Sequence, residues 1–190
     1  MLEIVEHPSE SYPPRTYKNA KEADLTAAFA LKFDTAGERL TQKAAGDRYI
    51  AISLDEDVIE AARILFRALR HHNAKILNIA GNGIYTLAPT GWTQDRLNLH
   101  LLAILAKVHQ HWALSKVISG GQTGVDLAGV TAAHALGIYA VATLPKGCLQ
   151  RGLDNKDKTQ SASDVRQQVE DGVALLKIML GQSSANEPNI

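Results

Sequence analysis

Short apolar runs alternate along the chain with longer stretches in which apolar residues recur every three or four positions. The short runs are typical of buried strands, and the three-to-four spacing is typical of amphipathic helices. The runs predict strands at 25–33, 49–54, 75–80, 116–119 and 138–143. The longer stretches predict helices that begin near residues 35, 55, 93 and 123, and a last helix over 164–180.

This alternation predicts right-handed crossover units, a mostly parallel sheet and helices on both of its faces. The predicted fold class is therefore α/β, as a Rossmann-like three-layer αβα domain. A length of 190 residues favours one domain, which we place at residues 21–180. Residues 1–20 contain three prolines and predict an extended N-terminal arm, and residues 181–190 predict a disordered tail.

The segment Ser-Gly-Gly-Gln-Thr-Gly-Val-Asp at 119–126, here called the glycine loop, follows a predicted strand and opens the next helix. Glycines let the backbone approach a ligand closely, and the N–H groups of a helix start attract phosphate. The alternative is a tight turn with a Thr-x-x-Asp helix cap, in which Thr123 is the N-cap. Three glycines exceed what a cap requires, which favours a phosphate-binding loop. Its candidate ligand-binding residues are Ser119, Gly120, Gly121, Gln122, Thr123, Gly124 and Asp126.

Three other turns follow predicted strands, at 34–37, 81–83 and 145–147. Ligands of parallel sheets bind beyond the carboxyl ends of the strands, so we expect these turns to meet the glycine loop at one edge. Thr35 and Glu38 fit a capping box, which favours a structural role for Glu38. Lys146 is placed to meet phosphate as a point charge, with an ordinary turn lysine as the alternative. The candidate ligand-binding residues here and just beyond are Thr35, Gly37, Gly81, Asn82, Lys146 and Arg151.

The composition argues against several classes of function. The chain carries 20 basic and 20 acidic residues and no basic stripe, which argues against nucleic-acid binding. Its seven histidines and single cysteine, Cys148, show no metal-ligand spacing, so no metal site is predicted. No apolar run approaches the roughly 18 residues of a membrane span, and the first residues do not form a signal peptide. A lone cysteine fits a reducing compartment, so we expect a cytoplasmic protein without membrane partners.

The glycine loop, extended to Ile118, resembles the molybdenum-cofactor carrier (YpsA-like) family, as do Leu136-Gly137-Ile138 and Pro145-Lys146-Gly147. That family belongs to the SLOG superfamily of Rossmann-like nucleotide-binding proteins. In its members the glycine motif stands near the N-terminus, and the other shared segments follow it. In this chain the segments similar to those later parts come first, at 15–19, 24–26, 35–41 and 77–81. The resemblance therefore implies a circular permutation.

The resemblance also implies that the chain binds a nucleotide or a nucleotide-like phosphorylated cofactor, such as a molybdopterin-type cofactor, and serves as its carrier. Asp34, Asn19 and Asn82 are then expected to contact the sugar or base. The alternative is a nucleoside-monophosphate phosphoribohydrolase, as found among related SLOG proteins, with a carboxylate at the anomeric carbon. Its candidate catalytic residues are Asp126, Glu38 and Asp34, although the glycine-rich signature of those hydrolases is absent. A ligand-sensing regulatory protein is a third hypothesis, and formation of a homo-oligomer is left open.

Overall fold

The computed structural model describes residues 1–185 of the chain. The strands within them are β1 Leu2–Glu6, β2 Leu25–Ala30, β3 Tyr49–Ser53, β4 Ile76–Gly81, β5 Lys116–Ser119, β6 Tyr139–Leu144, β7 Gln150–Arg151 and β8 Asp157–Lys158. The first six form one sheet, in the spatial order β1-β6-β5-β4-β2-β3, with every neighbouring pair parallel. The short β7 and β8 form a separate antiparallel hairpin. All five predicted strands are present, with ends within three residues of the predicted ones.

The α-helices of the described residues are α1 Tyr12–Glu22, α2 Ala36–Ala45, α3 Val58–His71, α4 Ile84–Leu87, α5 Gln94–His111, α6 Val125–Ala135 and α7 Ala162–Ala185. Helices α3, α5, α6 and α7 pack against one another on one face of the sheet. Helices α1 and α2 pack together on the other face. Right-handed crossovers require this, because the connections that contain these two helices cross the sheet in the opposite direction to the others. The predicted three-layer αβα fold is thus confirmed. None of these helices is long and apolar enough to cross a membrane.

The centre of the sheet fixes where a ligand can bind. Strand β2 is buried along its whole length, although it is rich in alanine, because strands flank it on both sides and helices cover both faces. The chain leaves β2 through α2 toward β3, and it leaves the neighbouring β4 through α5 toward β5. These connections run in opposite directions, so the carboxyl ends of β2 and β4 form a topological switch point.

The N-terminal segment differs from the predicted extended arm over 1–20. Residues 2–6 form the edge strand β1, paired in register with β6 from Leu2 opposite Ala140 to Glu6 opposite Leu144. Residues 12–22 form α1, with prolines in its first turn. Proline is tolerated there because the first N–H groups of a helix have no internal acceptor. The prolines that suggested an extended arm therefore mark a helix start.

The C-terminal segment also differs from the prediction. Helix α7 continues to Ala185, because Val165, Val169 and Leu176 anchor it to the core and no proline interrupts it. The predicted disordered tail, 181–190, is therefore helical in its first half, and residues 186–190 lie outside the described residues.

The close packing of α6 on the sheet depends on the absence of a side chain at Gly129, and a substitution there tests it. A Cβ at Gly129 would lie 2.7 Å from Ile79 Cγ2. We expect Gly129→Ala to lower the free energy of unfolding by about 1–3 kcal/mol through overpacking, although alanine favours helix. Gly181→Ala is the matched control, since a Cβ there meets nothing within 4 Å. It should instead raise stability by up to about 1 kcal/mol in chemical denaturation, and equal effects would refute the close contact.

Candidate functional site

A cavity of about 450 Å³ opens at the switch point, beyond the carboxyl ends of β2, β4 and β5. Its volume lies in the range of roughly 300–1,000 Å³ that is typical of small-molecule sites. The walls come from α1, the start of α2, the end of β4 with α4, the glycine loop and Arg151. The turns at 35, 81 and 120 therefore meet at one cavity, as the topology predicted, whereas the turn at 145–147 does not line it.

A buried ion pair forms one wall of the cavity. Arg15 Nη1 lies 3.2 Å from Asp126 Oδ2, and the two side chains are only 10% and 8% exposed. A Cβ at Gly120 would lie 1.4 Å from Arg15 Nη1 and 2.2 Å from Asp126 Oδ2. Glycine is required at position 120 because the ion pair occupies the space that a side chain would fill.

The surroundings of Asp126 show that it does not cap α6. Burial raises the pKa of Asp126, while Arg15 and the N–H groups of Gln122 and Gly81, which hydrogen-bond to the carboxylate, oppose that rise. The N-cap is Gly124, whose φ of +105° favours glycine, and its neighbour Thr123 donates its hydroxyl to the Arg151 carbonyl. The alternative of a Thr-x-x-Asp cap is therefore wrong, as is the assignment of Thr123 as N-cap. Asp126 serves instead to bind Arg15.

Most N–H groups at the start of α6 have protein acceptors. The Gly124 N–H donates to Gln94 Oε1 at 2.7 Å, and the Val125 N–H donates to the Asn82 carbonyl at 3.2 Å. The Gln122 N–H is bound by Asp126. These groups are thus already used within the fold, which leaves the glycine loop less suited to hold phosphate than its sequence suggests.

The polar side chains of the glycine loop hold the following segment in place. Gln122 donates to the Leu149 carbonyl and accepts from the Arg151 N–H, and Gln150 donates to the Gly121 carbonyl. With the Thr123 bond to Arg151, these contacts fix the start of the β7–β8 hairpin beside the cavity. The loop therefore positions Arg151 at the cavity wall.

The start of α2 faces the cavity. Thr35 Oγ1 accepts from the Glu38 N–H at 3.2 Å, which confirms Thr35 as the N-cap. The Glu38 carboxyl does not return to the Thr35 N–H, so the predicted capping box is wrong in its second half: the side chain turns into the cavity instead. Ala36 and Gly37 also line the cavity, and N–H groups at the first positions of a helix have no internal acceptor.

Asn82 fixes the position of Glu38. Its Oδ1 accepts from the N–H groups of Leu31 and Lys32, at 3.0 and 3.1 Å. Its Nδ2 donates to the Lys32 carbonyl at 3.0 Å and to Glu38 Oε1 at 3.2 Å. Asn82 therefore ties the loop after β2 to β4 and holds one oxygen of Glu38 rigidly.

The second oxygen of Glu38 has no hydrogen-bond partner among the described residues, although the residue is only 3% exposed. Burial and the nearby charge of Asp126 raise its pKa to about 7, and the hydrogen bond from Asn82 opposes this only in part. A solvated glutamate has a pKa of about 4.3. Near neutral pH, Glu38 can therefore exchange a proton.

The mouth of the cavity carries a cluster of aromatic and charged side chains. Arg151 binds Asp157 through two hydrogen bonds of 2.8 Å, and Tyr12 donates its hydroxyl to the same carboxylate at 2.6 Å. The Arg151 guanidinium lies 5.5 Å from the centre of the Tyr12 ring and 5.9 Å from that of Tyr85. Burial and the bond to Asp157 raise the pKa of Tyr12, so its hydroxyl remains protonated.

The cavity includes most of the predicted site residues, namely Asn19, Thr35, Gly37, Glu38, Gly81, Asn82, Gly120, Gln122, Thr123, Asp126 and Arg151. Five candidates lie outside its lining: Asp34, Ser119, Gly121, Gly124 and Lys146. Lys146 pairs with Glu10 at 3.7 Å, and Ser119 donates to the Ile79 carbonyl inside the sheet. Gly121 packs on Leu144 at a φ of +67°, so its glycine serves the fold rather than a ligand.

Among the wall residues that were missed as individual site candidates are Tyr12, Arg15 and Tyr85. Arg15 was named only within a segment of the family resemblance. Its pairing with Asp126 joins residues 111 positions apart, which no local pattern reveals. The two tyrosines carry no motif, and the apparent arm over 1–20 concealed the helix that presents Tyr12 and Arg15. Within the described residues, no group of three or more His, Cys, Asp or Glu side chains is arranged to hold a metal ion.

The fold and the cavity define a Rossmann-like α/β protein with a ligand crevice at its switch point. Residues 2–84 match the model of the circularly permutated YpsA SLOG family. This match confirms the resemblance to the YpsA-like SLOG proteins in permuted form over that part of the chain. The matched residues include Arg15 and Glu38, and the glycine loop lies beyond them. No curated protein and no solved structure matches the chain. Similarity to the SLOG superfamily indicates binding or processing of nucleotide-related ligands in general terms, without a specific ligand.

The raised pKa of Glu38 predicts a pH-dependent stability. In the folded protein the Glu38 carboxyl keeps its proton until the pH reaches about 7, whereas in the unfolded chain it loses the proton near pH 4.3. The stabilisation is thus complete below about pH 4.3 and is lost as the pH rises through 7. Glutamine cannot ionise, so Glu38→Gln removes this loss. The free energy of unfolding of Glu38→Gln, relative to that of the unmodified protein, should therefore rise by about 2–3 kcal/mol between pH 5 and pH 8, measured by chemical denaturation.

Glu56→Gln is the control for this experiment, because Glu56 is exposed and lies outside the cavity lining. Its effect should stay within about 0.5 kcal/mol at both pH values. A gain from Glu38→Gln that is the same at pH 5 and pH 8 would contradict the buried, proton-binding state of Glu38.

Proposed function

We propose that the chain binds a nucleotide or a nucleotide-like phosphorylated ligand in the cavity at the carboxyl edge of the sheet. The observation that carries this proposal is that the start of α2 and several buried, unpartnered polar atoms share that one cavity. Buried polar groups in folded proteins nearly always have hydrogen-bond partners, so unsatisfied ones favour a ligand that supplies them. The ligand class includes a molybdopterin-type cofactor, for which the protein would serve as a carrier.

The phosphate is best placed at the start of α2. The N–H groups of Ala36 and Gly37 and the positive end of the helix dipole favour an anion there. The Thr35 hydroxyl lines the same part of the cavity and can donate a further hydrogen bond. Arg151 adds a cation at the mouth, although Asp157 already binds its guanidinium. This placement differs from the glycine loop, in which the N–H groups of Gln122, Gly124 and Val125 already have acceptors within the fold.

A proline at the first position of α2 tests this placement. Proline is accepted there by helices, and the extended Thr35 backbone, with a φ of −71° and a ψ of 158°, suits a residue before proline. Ala36→Pro therefore removes one phosphate-binding N–H while the fold persists. We expect affinity for nucleoside 5′-monophosphates, measured by calorimetry, to fall about tenfold, since a charge-assisted hydrogen bond contributes roughly 1.5–3 kcal/mol. Affinity for the unphosphorylated nucleosides should not change.

Ala162→Pro is the matched control, since Ala162 is the exposed first residue of α7 after Ser161, whose hydroxyl accepts from the Asp164 N–H. It should leave both affinities unchanged. Nucleotides and nucleosides that bind the unmodified protein equally well would remove the phosphate site altogether. A loss of phosphate selectivity in Ala162→Pro as well would show that the effect is not specific to α2.

A second candidate function is hydrolysis of the N-glycosidic bond of a nucleoside monophosphate. The observation that favours it is a pair of carboxyl groups in the cavity with different environments, a pattern that often separates acid and base roles. Glu38, with a pKa of about 7, is suited to give a proton to the departing base or take one from water. Asp126 is suited to stabilise positive charge at the anomeric carbon.

Release of free base from nucleoside monophosphates separates the enzyme from the carrier. If the chain is this enzyme, Glu38→Gln should cut turnover by about a hundredfold or more while binding persists. A carrier should give no release above the uncatalysed rate. Clear release that is unchanged in Glu38→Gln would exclude Glu38 as the acid or base.

A further inference from the structure

Three residues that line the cavity each carry a buried polar atom without a hydrogen-bond partner among the described residues. The atoms are Glu38 Oε2, Asn19 Oδ1 and Arg15 Nε. Their residues are 3%, 2% and 8% exposed, and all three line the cavity. Leaving such atoms unpaired is costly, so a ligand that pairs with them gains affinity.

The chemistry of these atoms narrows what can pair with them. Glu38 Oε2 and Asn19 Oδ1 accept hydrogen bonds, whereas Arg15 Nε donates one. An anionic group would face the carboxyl groups of Glu38 and Asp126, while the charge of Arg15 is already paired with Asp126. An apolar group would leave all three atoms unsatisfied. A hydroxyl group fits, because it donates and accepts, and it can pair with Glu38 whether or not that carboxyl is protonated.

The position of these atoms matches the proposed phosphate site. Glu38, Thr41 and Ala45 are the buried residues of α2, and the exposed Ala36 and Gly37 directly precede Glu38. A helix rises only about 1.5 Å per residue, so the Glu38 side chain starts close to these N–H groups and lies within reach of the ribose of a nucleotide whose 5′-phosphate they bind. A nucleotide with its phosphate at the helix start thus points its sugar hydroxyls at Glu38.

We propose that Glu38, Asn19 and Arg15 bind the vicinal hydroxyl groups of a ribose, so that the protein selects ribonucleotides over deoxyribonucleotides. The inference rests on the proposed nucleotide-binding function and deepens it. Asn82 holds Glu38 Oε1, and Asp126 holds Arg15 Nη1, so both groups are oriented before the ligand arrives. Such preorganisation makes hydroxyl recognition selective, because a deoxy sugar leaves the waiting atoms unpaired.

The test is calorimetry with the four ribonucleoside 5′-monophosphates and their 2′-deoxy and 3′-deoxy counterparts. We expect each missing hydroxyl to weaken binding by about tenfold to a hundredfold. Glu38→Leu removes both carboxylate oxygens and should bring the ratio of deoxy to ribo dissociation constants close to one. Asn19→Ala is a second, independent variant that should also reduce this ratio. It keeps the test decisive if circular dichroism shows that Glu38→Leu does not fold.

Glu56→Gln is the control, because Glu56 is exposed and lies outside the cavity lining. It should leave the selectivity intact. Equal binding of ribo and deoxy forms, with phosphate still required, overturns the inference and leaves the proposed function standing. Discrimination by base alone also overturns it. Failure of every nucleotide to bind overturns both proposals.

Discussion

The buried ion pair between Arg15 and Asp126 holds together parts of the site that lie far apart in the chain. Burying two charges is costly, and the cost is offset only when further hydrogen bonds satisfy the carboxylate. Here the N–H groups of Gln122 and Gly81 supply them, so the carboxylate binds α1, the end of β4 and the glycine loop at once. Gly120 leaves the space that the pair needs. In a permuted chain, this contact joins a helix near the start to a loop in the second half.

The sheet could be predicted from the sequence because parallel strands are buried on both faces and stand out as apolar runs. The meeting of the turns at 35, 81 and 120 followed from the topology alone. The features of the site that could not be predicted depend on hydrogen bonds between residues that are distant in sequence. The occupation of the Gly124 N–H by Gln94, and the turn of Glu38 toward Asn82 rather than Thr35, leave no local signal. The prolines of α1 led to the wrong prediction of an extended arm, because proline is common both in extended segments and at helix starts.

The same contacts change how the glycine loop is understood. In the sequence it is the segment most typical of phosphate binding, yet each glycine has a reason within the fold. Gly120 accommodates the ion pair, Gly121 packs on Leu144, and Gly124 meets the backbone of residues 82–84. Its polar side chains bind residues 149–151. The loop shapes the cavity and positions Arg151, while the start of α2 offers the amides that are open to a ligand.

Glu38 lowers the stability of the fold, and packing alone does not require a glutamate at this position. A buried carboxyl with a pKa of about 7 opposes folding once it ionises, and a neutral side chain of similar size would fit the same space. Its one hydrogen bond comes from Asn82, which is itself anchored by two backbone N–H groups. Local rules are broken most often where function requires it. A residue that weakens the fold near neutral pH, yet is held rigidly with one oxygen unpaired, is best explained by what it binds.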